Sequence, residues 1–111
     1  MGTKPRMTIP TLRVLAALLA DPLGEHYGLE LSRAAGLPSG TIYPILTRLQ
    51  SAGWLTSAWE EIDEAAEGRR RRRYYCLTGT GREQARAAVA QHTRALRPVL
   101  GDHLEPGGSS A

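Results

Sequence analysis

Gly36-Leu37-Pro38-Ser39-Gly40 constrains the fold of this chain more than any other stretch, because glycine and proline at this density interrupt helix and strand alike. Gly36 is the residue best able to take up a left-handed helix end, and Ser39 carries the short hydroxyl of an N-cap. The stretch therefore reads as a tight turn between two helices. The upstream helix takes Leu29, Leu31 and Ala34-Ala35. Downstream, Ile42, Ile45, Leu46 and Leu49 fall at i, i+3, i+4 and i+7, which predicts a third helix over roughly Gly40 to Ala52 with that stripe buried.

Around this pair the rest of the chain sorts by the same signals. A first helix begins near Ile9 or Pro10, carries Leu12, Leu15, Leu18 and Leu19 on one face, and ends at Asp21-Pro22. Gly53 closes the third helix, whose Pro44 is tolerable only close to the helix start. Trp54 to Ile62 reads as a strand, an acidic loop follows, and Arg71 to Leu77 reads as the return strand of a hairpin. Thr80-Gly81-Arg82-Glu83 has the form of a capping box and starts a last helix. In it Ala85, Val89, His92, Leu96 and Val99 follow a heptad seam, which needs a partner helix, and Pro98 is expected to kink or end it.

The expected organisation is a flexible basic leader over residues 1–7, a domain of helices and a hairpin over 8–79, a last helix over 80–104 that needs a partner, and a flexible tail over 105–111. At 111 residues, such a chain gains stability by burying apolar surface against a second copy, so a homodimer is the expectation.

Charge distribution says more than the net charge of +3. Glu60, Glu61, Asp63, Glu64 and Glu67 are followed at once by Arg69, Arg70, Arg71, Arg72 and Arg73, which run into the strand Tyr74-Tyr75-Cys76-Leu77. Strand alternation would put Arg69, Arg71 and Arg73 on one face and Arg70 and Arg72 on the other. Either the arginines reach a phosphate backbone, or they pair with the acids across the hairpin and leave little field.

Helix, helix, turn, helix and hairpin is the order of a winged helix-turn-helix, a mainly α fold with a small β-hairpin, here followed by a C-terminal dimerisation helix. The third helix then lies in the major groove of double-stranded DNA, with the arginine-rich wing on the flanking backbone or minor groove. The outer face of that helix is Thr41, Pro44, Thr47, Arg48 and Ser51, with Tyr43 at its flank. Ser39 and Thr41 meet phosphate or base edges at the helix start, unless Ser39 only caps. Tyr43 donates to a phosphate or packs. Arg48 reads a guanine or, the favoured role, holds a phosphate. Leu12, Leu15 and Leu19 of the first helix, with Ala85, Val89, His92 and Leu96 of the last, form the expected dimer surface.

His26-Tyr27-Gly28-Leu29-Glu30-Leu31, Gly40-Thr41-Ile42-Tyr43-Pro44-Ile45-Leu46-Thr47-Arg48-Leu49, Gly53-Trp54-Leu55, Trp59-Glu60 and Arg73-Tyr74-Tyr75-Cys76-Leu77-Thr78 with Gly81 resemble the PadR family of bacterial transcriptional regulators, over about residues 8 to 96. The resemblance implies a homodimeric repressor whose C-terminal helix and first helix make the dimer contact, in the compact branch with a single short C-terminal helix. It also implies a small aromatic effector, which some relatives bind through a tryptophan on the C-terminal helix. That helix has no aromatic residue in this chain.

Other classes find less support. No nucleophile with a base, paired carboxylates or glycine-rich phosphate loop points to an enzyme, and no cofactor is implied. His26, His92 and His103 lack metal-ligand spacing. The lone Cys76 reads as a small packed hydrophobe, and Trp54 and Trp59 as cover for the hairpin and dimer core. No signal segment or long apolar span is present, so a cytoplasmic protein without a membrane partner is expected. The alternative function is a winged-helix protein-interaction module that docks through the charged hairpin.

Overall fold

The computed structural model describes residues 4–104, and side chains over residues 4–93. Helix α1, Ile9–Leu19, starts where Thr8 accepts the Thr11 N–H and Pro10 fits the first turn. It buries Leu12, Val14, Leu15 and Leu18. The chain then makes a two-residue strand β1, His26–Tyr27, before α2, Gly28–Ala35. Gly36 ends α2 in the left-handed conformation at φ 68°, as the turn requires.

Helix α3 spans Ser39–Ser51 and buries Ile42, Ile45, Leu46 and Leu49. Its N-cap is Pro38, in extended conformation, rather than Ser39. The Pro38 carbonyl accepts both the Thr41 and Ile42 N–H groups, so Ser39 already sits inside the helix with its hydroxyl uncommitted to capping. Pro44 lies within α3, which continues through it without the one hydrogen bond to the Gly40 carbonyl.

The wing has two longer strands, β2 (Leu55–Trp59) and β3 (Arg73–Leu77), with a one-turn helix α4 (Glu64–Glu67) between them, capped by Asp63. Both strands are shorter than the sequence suggests. The sheet has three strands in the order β1-β3-β2, all antiparallel, with Tyr27 opposite Tyr74 and Ser57 opposite Tyr75. The expected hairpin thus gains a strand contributed from the connection between α1 and α2.

Helix α5, Gly79–Leu104, runs past Pro98 rather than ending there. Its cap lies two residues earlier than the capping-box reading: Thr78, not Thr80, accepts the Gly81 N–H at 2.8 Å and donates to the Gly53 carbonyl. Gly81 is required by close approach, since a Cβ there would collide with the Trp54 carbonyl.

One core joins these elements, with Leu15, Leu18, Leu31, Ile42, Leu46, Leu49 and Leu55 fully enclosed. Helix α5 packs on α1 within the same chain, burying Ala85 and Ala88. This corrects part of the expected dimer surface. Leu12, Leu15 and Ala85 are consumed by the protomer's own core and have no side chain to offer a second copy. Leu19, Val89 and His92 are only half-buried, and Leu96 lies outside the residues whose side chains are described.

Candidate nucleic-acid interface

The buried stripe of α3 fixes what the helix shows to solvent. Ser39, Tyr43, Pro44, Thr47, Arg48, Gln50 and Ser51 are exposed, and Thr41 is half-buried. Thr41 has its own N–H committed to Pro38, which leaves the N–H groups of Ser39 and Gly40 at the helix start. Tyr43 is 44% exposed, its ring lying against Gly28 at the start of α2. It both packs and faces solvent. Arg48 stands in the last turn, where its charge also complements the helix C-terminus.

Thr47, Gln50 and Ser51 meet Arg73 and Tyr75 of β3 around an open hollow of about 470 Å³. The end of α3 and the root of the wing therefore form one continuous surface. Gln50 was absent from the expected set, although its polar amide three residues after Thr47 was a legible signal. Tyr75 is largely buried and supplies the floor, while Tyr74 is on the opposite face of the sheet.

Within the arginine run, the strand alternation expected of Arg69 to Arg73 does not apply, because only Arg73 lies in β3. The other four sit in the loop, and their partners are set by the turn. Arg69 forms a fork on Glu60, with Nη1 to Oε1 at 2.7 Å and Nη2 to Oε2 at 3.2 Å. Arg72 donates to the same carboxylate from its backbone N–H at 2.8 Å and its Nη2 at 3.3 Å. The Tyr27 hydroxyl adds a further donor at 3.1 Å. Arg71 pairs with Glu64, loosely through Nε at 3.7 Å and firmly through its backbone N–H at 2.8 Å.

Arg70 and Arg73 have no carboxylate partner among the described residues. Arg73 donates instead to the Ser57 hydroxyl, at 2.9 and 3.1 Å, and lies 5.6 Å over the Trp59 ring. Trp59 is 53% exposed, so it stands out on the wing rather than covering a core, whereas Trp54 is buried as expected.

Electrostatics follow this geometry. The Arg69 fork, with donors from Arg72 and Tyr27, holds the Glu60 carboxyl well below the usual carboxylate range against the opposing effect of burial. Burial, and then the bond to Glu60, push the Tyr27 hydroxyl up. Burial also raises the Cys76 thiol, which is half-buried beside Tyr74. No group of three or more His, Cys, Asp or Glu among the described residues is placed to hold a metal, and no described helix is long and apolar enough to cross a membrane.

A family model described as the transcriptional regulator PadR-like family matches residues 15–87. No curated protein matches the chain. Among solved structures, the fold is similar to a PadR family transcription regulator from hypervirulent Clostridium difficile, with 23% identity, TM-score 0.63, and coverage of 88% of this chain and 100% of that one. It is also similar to the PcaV transcriptional regulator from Streptomyces coelicolor in complex with its natural ligand, with 24% identity, TM-score 0.65, and coverage of 94% and 67%. A third is BpsR of Bordetella bronchiseptica, whose DNA binding is regulated by 6-hydroxynicotinic acid, with 19% identity, TM-score 0.60, and coverage of 86% and 70%.

Proposed function

The chain belongs to the PadR-like family of transcriptional regulators, which are not enzymes, and from that premise we propose that it is a repressor that binds a pseudo-palindromic operator as a homodimer. In this reading α3 enters the major groove and the wing follows the flanking backbone. The observation that carries it is the shared surface at the end of α3, where Thr47, Gln50 and Ser51 meet Arg73 around one open hollow. A hydroxyl- and amide-lined helix end beside a guanidinium suits a base edge next to a phosphate.

Ser39, Thr41, Tyr43, Thr47, Arg48 and Gln50 supply the α3 contacts, and Arg70 and Arg73 the phosphate contacts of the wing. The dimer surface draws on the sides of α1 and α5 that the protomer leaves half-open, at Leu19, Val89 and His92, and continues along α5. Two such subunits place their α3 helices on half-sites about one helical turn apart. BpsR, whose DNA binding is regulated by 6-hydroxynicotinic acid, makes a small aromatic effector the natural candidate for release, acting here without a tryptophan on α5.

Footprinting on the DNA around the chain's own gene, with and without a panel of aromatic acids, tests the reading. Paired protected half-sites are expected. Binding that ignores both sequence and salt, or a protein that stays monomeric at micromolar concentration, would overturn it.

A further inference from the structure

Glu60 is only 9% exposed, and a carboxylate so enclosed must be fully paired to stay charged. Both its oxygens are occupied. Oε1 accepts from Arg69 Nη1 and from the Arg72 N–H, while Oε2 accepts from Arg69 Nη2, Arg72 Nη2 and the Tyr27 hydroxyl. The Glu60 N–H in turn donates to the Arg72 carbonyl at 2.9 Å, and the Arg72 guanidinium lies 4.1 Å over the Tyr27 ring. Drawing either arginine away would take part of the pairing from a buried anion, and drawing both away would leave it with no cation, a far larger loss than that of a surface pair.

The contrast lies within the same loop. Arg71 and Glu64 are each about half exposed and their side chains meet at 3.7 Å, a pair that water or a phosphate can replace at little cost. Arg70 has no carboxylate to leave among the described residues.

We propose that Glu60 is a positioning residue for DNA binding that withholds Arg69 and Arg72 from the phosphate backbone. It thereby limits the part of the affinity that ignores sequence. This rests on the DNA-binding reading given above. Each phosphate contact strengthens binding to every duplex alike and steepens the salt dependence by about 0.9 in log–log slope. A wing with all five arginines at liberty would bind any DNA more tightly; the Glu60 clamp leaves Arg70 and Arg73, with Arg71 exchangeable. Glu60 also ties the wing to Tyr27 of β1, the residue immediately before α2, so the clamped loop and the helix-turn-helix share one frame.

The test is the salt dependence of binding to a duplex of unrelated sequence, measured for the full chain and for Glu60→Gln. The substitution keeps the shape and a hydrogen-bond acceptor for Tyr27 but removes the charge that holds the two guanidinium groups. A slope steeper by up to about 1.8 is expected, together with tighter binding at low salt; between 50 and 200 mM that amounts to about a tenfold larger loss of affinity. Adding Arg69→Ala and Arg72→Ala to Glu60→Gln should return the slope to that of the wild type. A role confined to folding would leave the slope unchanged or weaken binding, and either result overturns the proposal.

Should Glu60→Gln fail to fold, Arg69→Gln with Arg72→Gln in the otherwise native chain, which removes both charges but keeps amide donors toward the Glu60 carboxylate, decides the matter. An unchanged slope supports the clamp, and a slope shallower by about 1.8 overturns it. Wild-type protein with no salt-dependent binding to any duplex would remove the DNA reading itself, which distinguishes that failure from a wild type that binds while Glu60→Gln changes nothing.

Discussion

The outer face of α3 and the wing lie side by side on this molecule, yet they use charge in opposite ways. The α3 face is nearly uncharged, with hydroxyls, one amide and the single guanidinium of Arg48. From Glu60 to Arg73 the wing carries five acids and five arginines, and its charges cancel. Three of those arginines are engaged with Glu60 or Glu64. Density of charge in a sequence is therefore not density of field on a surface. In the proposed complex with DNA, the crowded region would supply only a modest pull, while the sparse one would offer side chains of the kind that distinguish bases.

Predictions that break or sharpen this contrast begin with the frame that presents α3. Leu46 is fully enclosed beneath that helix, and Leu46→Ala should cost about 2–5 kcal/mol in a denaturant titration. Because α3 and the wing share one core, DNA binding of every kind should then be lost together at a lower temperature than in the wild type.

Next in size is the α3 surface itself. Thr47→Ala with Gln50→Ala should remove about 1–3 kcal/mol of discrimination between the operator and single-base variants, with the salt slope unchanged, as read by competition binding. Arg73→Ala should do the reverse. It should lower the slope by about 0.9, weakening all duplexes alike while their ranking stays the same.

The smallest effect is expected from pH. The Glu60 carboxyl titrates in the folded chain well below its ordinary value of 4.5, so its stabilising contribution is complete above that pH and is lost progressively as pH falls below it. Thermal midpoints of wild type and Glu60→Gln should accordingly differ at neutral pH, begin to draw together as pH falls below 4.5, and meet only as it nears the much lower folded-state value.

How much of this was legible in the sequence follows from the range of each interaction. The turn at Gly36 to Gly40 and the α3 stripe are local and periodic, so α2, α3 and the winged order could be read directly. The family motifs carried the same reading independently. Strand β1 escaped because two residues have no period; it exists only because Tyr27 lies opposite Tyr74. The heptad spacing of Ala85, Val89 and His92 correctly demanded a partner helix but could not say which, and α1 of the same chain takes the Ala85 side. For the arginine run, pairing with the acids was a visible possibility. The choice of Glu60 as the hub depends on α4 folding the loop back, a four-residue element with no sequence period of its own.

Selection from a random duplex pool tests most directly the claim that α3 chooses sequence and the wing only holds on. It would compare the wild type, the Thr47→Ala/Gln50→Ala variant and an Arg70→Ala/Arg73→Ala variant. The wing variant should enrich the same sequences as wild type at lower yield, and the α3 variant should enrich different sequences or none. A wing variant that shifts the enriched sequence, beside an α3 variant that preserves it, would contradict the account.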